Sequence, residues 1–352
     1  MRYRRSTGRR LAGAALLQAC ILSALAQCPV RALDKVTMGI TGTSSDVASF
    51  IAVKKRYFRD EGLDVDQSTT RMGVNSIAAL AAGEYDAAAG AATAPFYNAV
   101  ARGVGVKVVA SVSSAPPGYG HTILIVRKAH VASGRYAKPL DIKGMKVAMP
   151  APGASATATL NAWLTQIGLK YSDIEPVFMA YPNHVVGLAG GAIDAGLTAE
   201  PQASMAMLAG DAVKIASDDV MDPDHEAGVL LYSPKFMQTR PQVAVRFMKA
   251  WLRGARDYND SLKDGLIAGP NADEVINILV EMTELKDARI YRAMGPQGAD
   301  PDGRLNVEGL KKDLEFYRSQ GWIEGAVSVE AAMDASFAAR AARGLGAYVK
   351  RK

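Results

Sequence analysis

Cysteine is nearly missing from this chain: Cys20 and Cys28 are the only two. Both sit near the amino terminus, so a processed chain has neither a disulfide framework nor a thiol nucleophile. Histidine is scarce as well, with four in the chain. His121 and His184 stand too isolated to build a metal site, and no coordinating cluster, metal or cofactor is expected. No Ser-His-Asp spacing or pair of carboxylates marks a catalytic centre. Long apolar runs are absent after Leu11 to Ala26, and that one is shorter than the ~20 residues a spanning helix needs. An excess of positive charge is only superficially present. The chain holds 41 basic and 35 acidic residues, and six arginines with no acids fall in positions 1–32, which leaves 35 of each sign beyond them. That balance, with no basic run interleaved by aromatics, excludes a nucleic-acid partner.

The amino terminus has the composition of a targeting segment. Arg2, Arg4, Arg5, Arg9 and Arg10 form a positive region ahead of the apolar run, which closes on "ALA". Positions 1–32 therefore read as a secretory signal peptide, with cleavage after Ala26 or after Ala32. "LLQAC" ending at Cys20 also suggests a lipid anchor, but Gln18 fits such a box poorly and the apolar run continues past it. Arg9 and Arg10 lack the flanking residues of a twin-arginine signal. The remainder exceeds what one core usually supports, so two lobes are expected.

A repeated phrase locates them. "AALAAGEYDAAAG" at 78–90 and "VGLAGGAIDAGLT" at 186–198 share Leu, two residues, Gly, two residues, Asp, Ala. Each reads as a helix ending at a glycine (Gly83, Gly191), a turn carrying an aspartate (Asp86, Asp194), and a small-residue strand. Upstream of both lie an apolar strand, a Gly/Ser/Thr loop, a helix and a Gly-Leu break. "VTMGI" leads through "TGTSSD" to a helix near Val47 to Asp60, and "KVAMP" leads through "APGASATA" to a helix near Thr157 to Ile167. This alternation predicts parallel strands in βαβ units, with ligand-facing loops at the carboxyl ends of the strands. "SSAPPGYG" and "DPDHEAGVLLYS" suit crossings between the units. After Pro234 the pattern turns helical, with Val243, Phe247, Ala250, Trp251 and Gly254 on one face, and this tail is expected to pack back on the first lobe.

The loops then supply the candidate contacts. Ser44, Ser45 and Asp46 follow the first strand, and Gly153, Ala154, Ser155 and Thr157 follow the strand opening the second unit. Both loops run into helix amino termini, where backbone N–H groups and hydroxyls suit an anion or a polar headgroup. Helix capping explains the same hydroxyls equally well. Gly153 better marks a loop that something approaches closely. Arg71 and Asn75, Thr93 and Ala94, Tyr181 and Asn183, and Glu200 follow the other strands. Arg71 would pair with a carboxylate or sulfonate, Glu200 would hold an amino group or cap the next helix, and Tyr119 would wall the cleft.

"FIAVKKRYFRDEGLDVD", "AALAAGEYDAAAG", "IKGMKVAMPAPGASATATLNAWLTQIGLKYSDIEPVFM", "GGAIDAGLTAEP" and "LLYSPKFMQTRPQVAVRFMKAWLRGARDYN", in that order, resemble the nitrate, sulfonate, taurine and thiamine-precursor (hydroxymethylpyrimidine) group of ABC-transporter substrate-binding proteins. The resemblance runs from about Val36 to Ile323. It implies an α/β type II periplasmic-binding-protein fold, in which two Rossmann-like lobes joined by two crossovers close on a ligand. The expected lobes are 33–120 with 228–352, and 121–227. It further implies a monomeric periplasmic protein, not an enzyme, that hands a small sulfonate, carboxylate or pyrimidine to a permease in the inner membrane. The matching positions are Ser44, Ser45, Gly153, Ser155 and Glu200, while the loop at Arg71 varies among relatives. The alternatives are an enzyme related to pyrimidine-precursor synthases, whose Cys-rich signature is missing here, and a periplasmic sensing module.

Overall fold

The computed structural model describes residue 1 and residues 32–69 and 74–351, without the side chains of Val74 and Asn75. Most of the signal segment, with the cleavage point after Ala26, Cys20 and Cys28, lies outside the described residues, as does Arg71.

Two five-stranded sheets carry the chain. The first holds β1 (Asp34–Ile40), β2 (Leu63–Thr69), β3 (Ala87–Gly90), β4 (Lys107–Ser114) and β10 (Glu226–Tyr232), in the order β2-β1-β3-β10-β4. The second holds β5 (Thr122–Arg127), β6 (Lys146–Met149), β7 (Glu175–Phe178), β8 (Ala195–Ala199) and β9 (Ala212–Ser217), in the order β7-β6-β8-β5-β9. Within each sheet the strands of the βαβ units are parallel: β1 with β2 and β3, β6 with β7 and β8. One strand in each sheet lies outside these units and runs the other way. β10 runs antiparallel to β3 and β4, and β5 antiparallel to β8 and β9. Each is the strand its sheet receives when the chain crosses over, so it arrives from the opposite direction. The two crossings lie side by side, with the Ala115 N–H donating to the His225 carbonyl (3.1 Å) and the Asp224 N–H to the Ala115 carbonyl (2.8 Å).

The repeated phrase has the same structural job in both sheets. Gly83 and Gly191 end their helices at φ 74° and 75°, the left-handed cap only glycine adopts cheaply. Asp86 then accepts the Thr37 N–H (3.1 Å) and Asp194 the Lys146 N–H (2.9 Å), while each aspartate's own N–H donates to the carbonyl of that same residue. Each aspartate thus stitches the start of β3 or β8 to the neighbouring parallel strand, β1 or β6.

The helix expected over Val47 to Asp60 is two helices, Val47–Lys54 and Tyr57–Asp60, hinged at Arg56 (φ 61°). Tertiary contacts hold the break open: Arg253 stacks on the Tyr57 ring at 3.9 Å, and the Tyr57 hydroxyl donates to Asp257 (2.5 Å). The second unit's helix spans Ser155–Gln166. In the tail, helix Pro241–Ser261 buries Val243, Phe247, Ala250 and Trp251 in the core around β1 and helix Val47–Lys54. Helix Val307–Ser319 behaves differently. Its Phe316 meets Tyr171 of the second unit (5.4 Å), while Tyr317 meets Tyr97 of the first (6.5 Å), so one aromatic cluster joins both. Among the described residues no helix is long and apolar enough to cross a membrane.

Candidate ligand-binding cleft

The loop after β1 is organised by Asp46. Its Oδ2 accepts the N–H groups of Thr41 (2.9 Å), Gly42 (2.8 Å) and Thr43 (3.3 Å) and the Thr41 hydroxyl (2.6 Å). Burial nevertheless pushes its pKa up to about 6, against those lowering hydrogen bonds. Asp46 is therefore a scaffold for the loop. Ser44 Oγ, buried and without a partner, is the polar atom the loop leaves free, and Asp46 Oδ1 is likewise unpaired. The Ser45 carbonyl accepts a bond from the Gln297 side chain (3.2 Å).

The loops after β3 and β6 meet across the sheets. Thr93 caps its helix, Ala94–Ala101, by accepting the Phe96 N–H (3.3 Å). The buried Ala94 donates its N–H directly to the Gly153 carbonyl (2.9 Å). Gly153 has φ 68°, and a Cβ there would run into the Ala94 methyl. Neighbouring Ala154 precedes helix Ser155–Gln166, and the Ser155 hydroxyl donates to the Ala227 carbonyl (3.4 Å) in β10 of the other sheet. Thr157 departs from the expected ligand contact. It is fully buried, and its hydroxyl donates to the Ala154 carbonyl (2.6 Å), so it tightens the helix start.

At the end of β8, Glu200 is buried beside a cis bond to Pro201. Its carboxylate accepts the Ser204 N–H and hydroxyl, both at 2.9 Å, while burial raises its pKa. Of the two roles expected for it, helix capping is the one present. Tyr181 sets its ring edge-on to His184 (5.3 Å), and burial, then the charge of Asp218, raises its hydroxyl pKa. Asn183 is exposed one turn into the same helix, and Tyr119 lies half-buried in the first crossing against the first core. Asn75 opens helix Val74–Ala82, with its side chain outside the described atoms.

Several residues that sequence reasoning passed over complete the region. Ser44, His121, Tyr258 and Gln297 line one small recess. The His121 ring nitrogen Nδ1 contacts the Gly295 carbonyl (3.3 Å), and burial lowers its pKa to about 4, so the ring is neutral near pH 7. Asp218 fixes the exit of the first crossing by accepting the N–H groups of His121 (2.9 Å) and Thr122 (3.0 Å). A cluster also forms where none was expected: Asp222, His225 and Asp313 converge. Asp313 is remote in sequence and reads there as an ordinary polar position of helix Val307–Ser319, so no spacing rule could find it.

Residues 45–260 match the NMT1/THI5-like family. No curated protein matches the chain. Among solved structures, a protein of Bordetella bronchiseptica RB50 is 25% identical, with TM-score 0.66 over 88% of this chain and 98% of that one. The alkanesulfonate-binding protein of Xanthomonas axonopodis pv. citri is 18% identical, with TM-score 0.66 over 85% and 98%. The periplasmic nitrate-binding protein of Synechocystis PCC 6803 is 14% identical, with TM-score 0.70 over 89% of each chain. The fold is thus the periplasmic-binding-protein fold, which a desulfurization enzyme shares at TM-score 0.55. By its matched residues, which span most of both sheets, this chain belongs to the NMT1/THI5-like family.

Proposed function

We propose that this chain is the solute-binding component of an ABC importer. It captures a small polar or anionic organic molecule, of sulfonate, carboxylate or pyrimidine type, between two lobes and delivers it to a permease in the inner membrane. The observation that carries this reading is the meeting of opposed strand-end loops. Ala94 at a helix amino terminus of one sheet bonds Gly153 of the other, with Thr93, Ala154 and Ser155 adjacent in sequence, Ser44 and Ser45 on the strand-end loop after β1, and only two chain crossings between the sheets. Such an arrangement closes by relative rotation of the lobes around a bound molecule. We take the lobes as 33–120 with 228–352 and 121–227, a division supported by the strand sets except that β10 already begins at Glu226; the targeting segment at 1–32 supports a periplasmic protein, which we take to be a monomer. The binding residues are then Ser44, Ser45, Thr93, Ala94, Gly153, Ala154 and Ser155, with Arg71 and Asn75 contributing from the loop after β2.

A thermal-shift screen of sulfonates, carboxylates, nitrate and pyrimidines on the purified protein tests this, followed by small-angle scattering with and without each hit. At least one solute is expected to raise the melting temperature and to leave or make the particle more compact. Failure of every class, with scattering unchanged, refutes the binding role. The fold shared with a desulfurization enzyme favours one second reading, an enzyme; chemical conversion of a hit by the purified chain would support it.

A further inference from the structure

We propose that Asp222, His225 and Asp313 form a divalent transition-metal site that ties the second crossing to helix Val307–Ser319. His225 is 2% exposed, and its Nδ1 lies 3.0 Å from Asp222 Oδ2 and 3.7 Å from Asp313 Oδ2. The donor atoms of all three lie within 4.8 Å of one another. Two ligand atoms each ~2.1 Å from a tetrahedral zinc stand roughly 3.4 Å apart, and the two measured separations bracket that value.

The imidazole is not satisfied by its neighbours as a hydrogen-bonding group. Neither ring nitrogen has a hydrogen-bond partner, so the carboxylates stand at ion-pair distance without the alignment of an N–H donor. Buried polar atoms left in this state are rare and call for a ligand or ion. Charge points the same way. Asp218 and Glu226 act on this neighbourhood too, so one imidazole faces four carboxyl groups. Among the described ion pairs, Asp222 and Asp313 meet no lysine or arginine, and Lys312 reaches Asp313 only at longer range. A buried excess of negative charge is relieved either by proton uptake or by a bound cation. One nitrogen with two carboxylates suits Zn²⁺ or Co²⁺ better than Mg²⁺ or Ca²⁺, which prefer all-oxygen shells. Asp222 keeps 25% of its side chain exposed, which gives the ion a way in. Bound there, the ion would fasten the second crossing to the helix whose aromatics touch both lobes.

The test is zinc titration of the purified full chain after EDTA treatment, by calorimetry and thermal melting, with Co²⁺ absorption as a second readout. One saturable Zn²⁺ is expected at this site, with a melting rise of about 5 °C at saturation and a visible cobalt spectrum. Asp222→Asn should weaken zinc binding at least about tenfold and Asp313→Asn should abolish it. Should Asp313→Asn fail to fold, the half-buried Asp222→Asn decides alone. Zinc held elsewhere, by Cys20 and Cys28 for example, persists in the variants. Binding or stabilisation that is unchanged in Asp222→Asn, or absent in the parent chain up to about 1 mM zinc, overturns the proposal and leaves a plain imidazolium–carboxylate cluster. A preference for Mg²⁺ or Ca²⁺ over Zn²⁺ overturns it as well.

Discussion

Gly153→Ala is the most direct probe of how the two lobes meet. Two separate costs fall on that one methyl group. First, Gly153 holds φ 68°, and an L-residue forced into this region loses roughly 1–2 kcal/mol. Second, the new Cβ would stand over an ångström inside the usual ~3.5–4.0 Å carbon contact with the Ala94 methyl. The backbone cannot absorb that overlap in place, because the Gly153 carbonyl accepts the Ala94 N–H at 2.9 Å and any retreat breaks this bond. Lobe separation relieves the overlap, so the penalty falls on the closed form. The backbone cost is carried by open and closed forms alike and lowers stability, whereas the clash falls on the closed form alone; at ~1.4 kcal/mol per tenfold, a clash of that size should lower solute affinity about tenfold. Calorimetry on the screened solute measures the affinity, and scattering measures the expansion. Adding Ala94→Gly removes the methyl that is struck and should recover the clash component while leaving the backbone component. Unchanged affinity and radius in Gly153→Ala, or no recovery in the double variant, would refute this account of closure.

Four further outcomes follow from contacts of the same kind. Asp46→Ala orphans three N–H groups and should destabilise the protein by about 3 kcal/mol in urea unfolding, with loss of solute affinity. The pH dependence of Asp46 has a definite sign. Its folded pKa of about 6 exceeds the unfolded value near 3.8, so its contribution is fully present below 3.8 and is lost as pH rises through 6. Asp46→Asn should therefore flatten the stability profile between those values relative to the parent chain, and parallel profiles would count against the assignment. Asp194→Ala removes the acceptor of the Lys146 N–H and the partner of His130 (2.6 Å), and should cost about 2–3 kcal/mol while leaving solute affinity intact. Lost affinity at full stability would instead place Asp194 in the cleft. Thr93→Ala removes a helix cap and should cost about 1 kcal/mol in the same unfolding assay.

Much of the architecture was legible because it is punctuated locally. Gly83 and Gly191 mark helix ends through backbone conformation, and Asp86 and Asp194 mark strand starts, although the N–H each accepts comes from the neighbouring strand 48 or 49 residues earlier. The direction of β5 and β10 was not legible. A buried strand looks alike in either direction, and only the crossings decide it. The break at Arg56 carries neither glycine nor proline, and it depends on Tyr57 reaching Arg253 and Asp257 far along the chain. At the cleft, loop positions could be read but roles could not. Ser44 and Gly153 keep positions open to a partner, whereas Asp46, Thr157 and Glu200 are engaged by neighbouring N–H, carbonyl and hydroxyl groups. Polar residues beside a helix start serve caps and ligands with the same atoms, and only the hydrogen-bond partners separate the two.

The tail changes what kind of hinge this fold has. If the lobes were joined by the two crossings alone, rotation would be limited only by the strand segments near Ala115 and His225. Helix Val307–Ser319 adds a second connection, since Phe316 and Tyr317 pack against Tyr171 and Tyr97 from opposite units, and Trp322 extends the same cluster to Tyr171 (5.9 Å). Aromatic packing of this size resists separation, because each ring pulled into water forfeits ~25 cal/mol per Å² of apolar surface. On the proposed binding role, opening would pivot about this side, with the polar loops at Ser44, Ala94 and Gly153 making the larger excursion. The strand-end contacts, few and hydrogen-bonded, are the ones that part most easily when the lobes open, and the aromatic side is where the two lobes stay together.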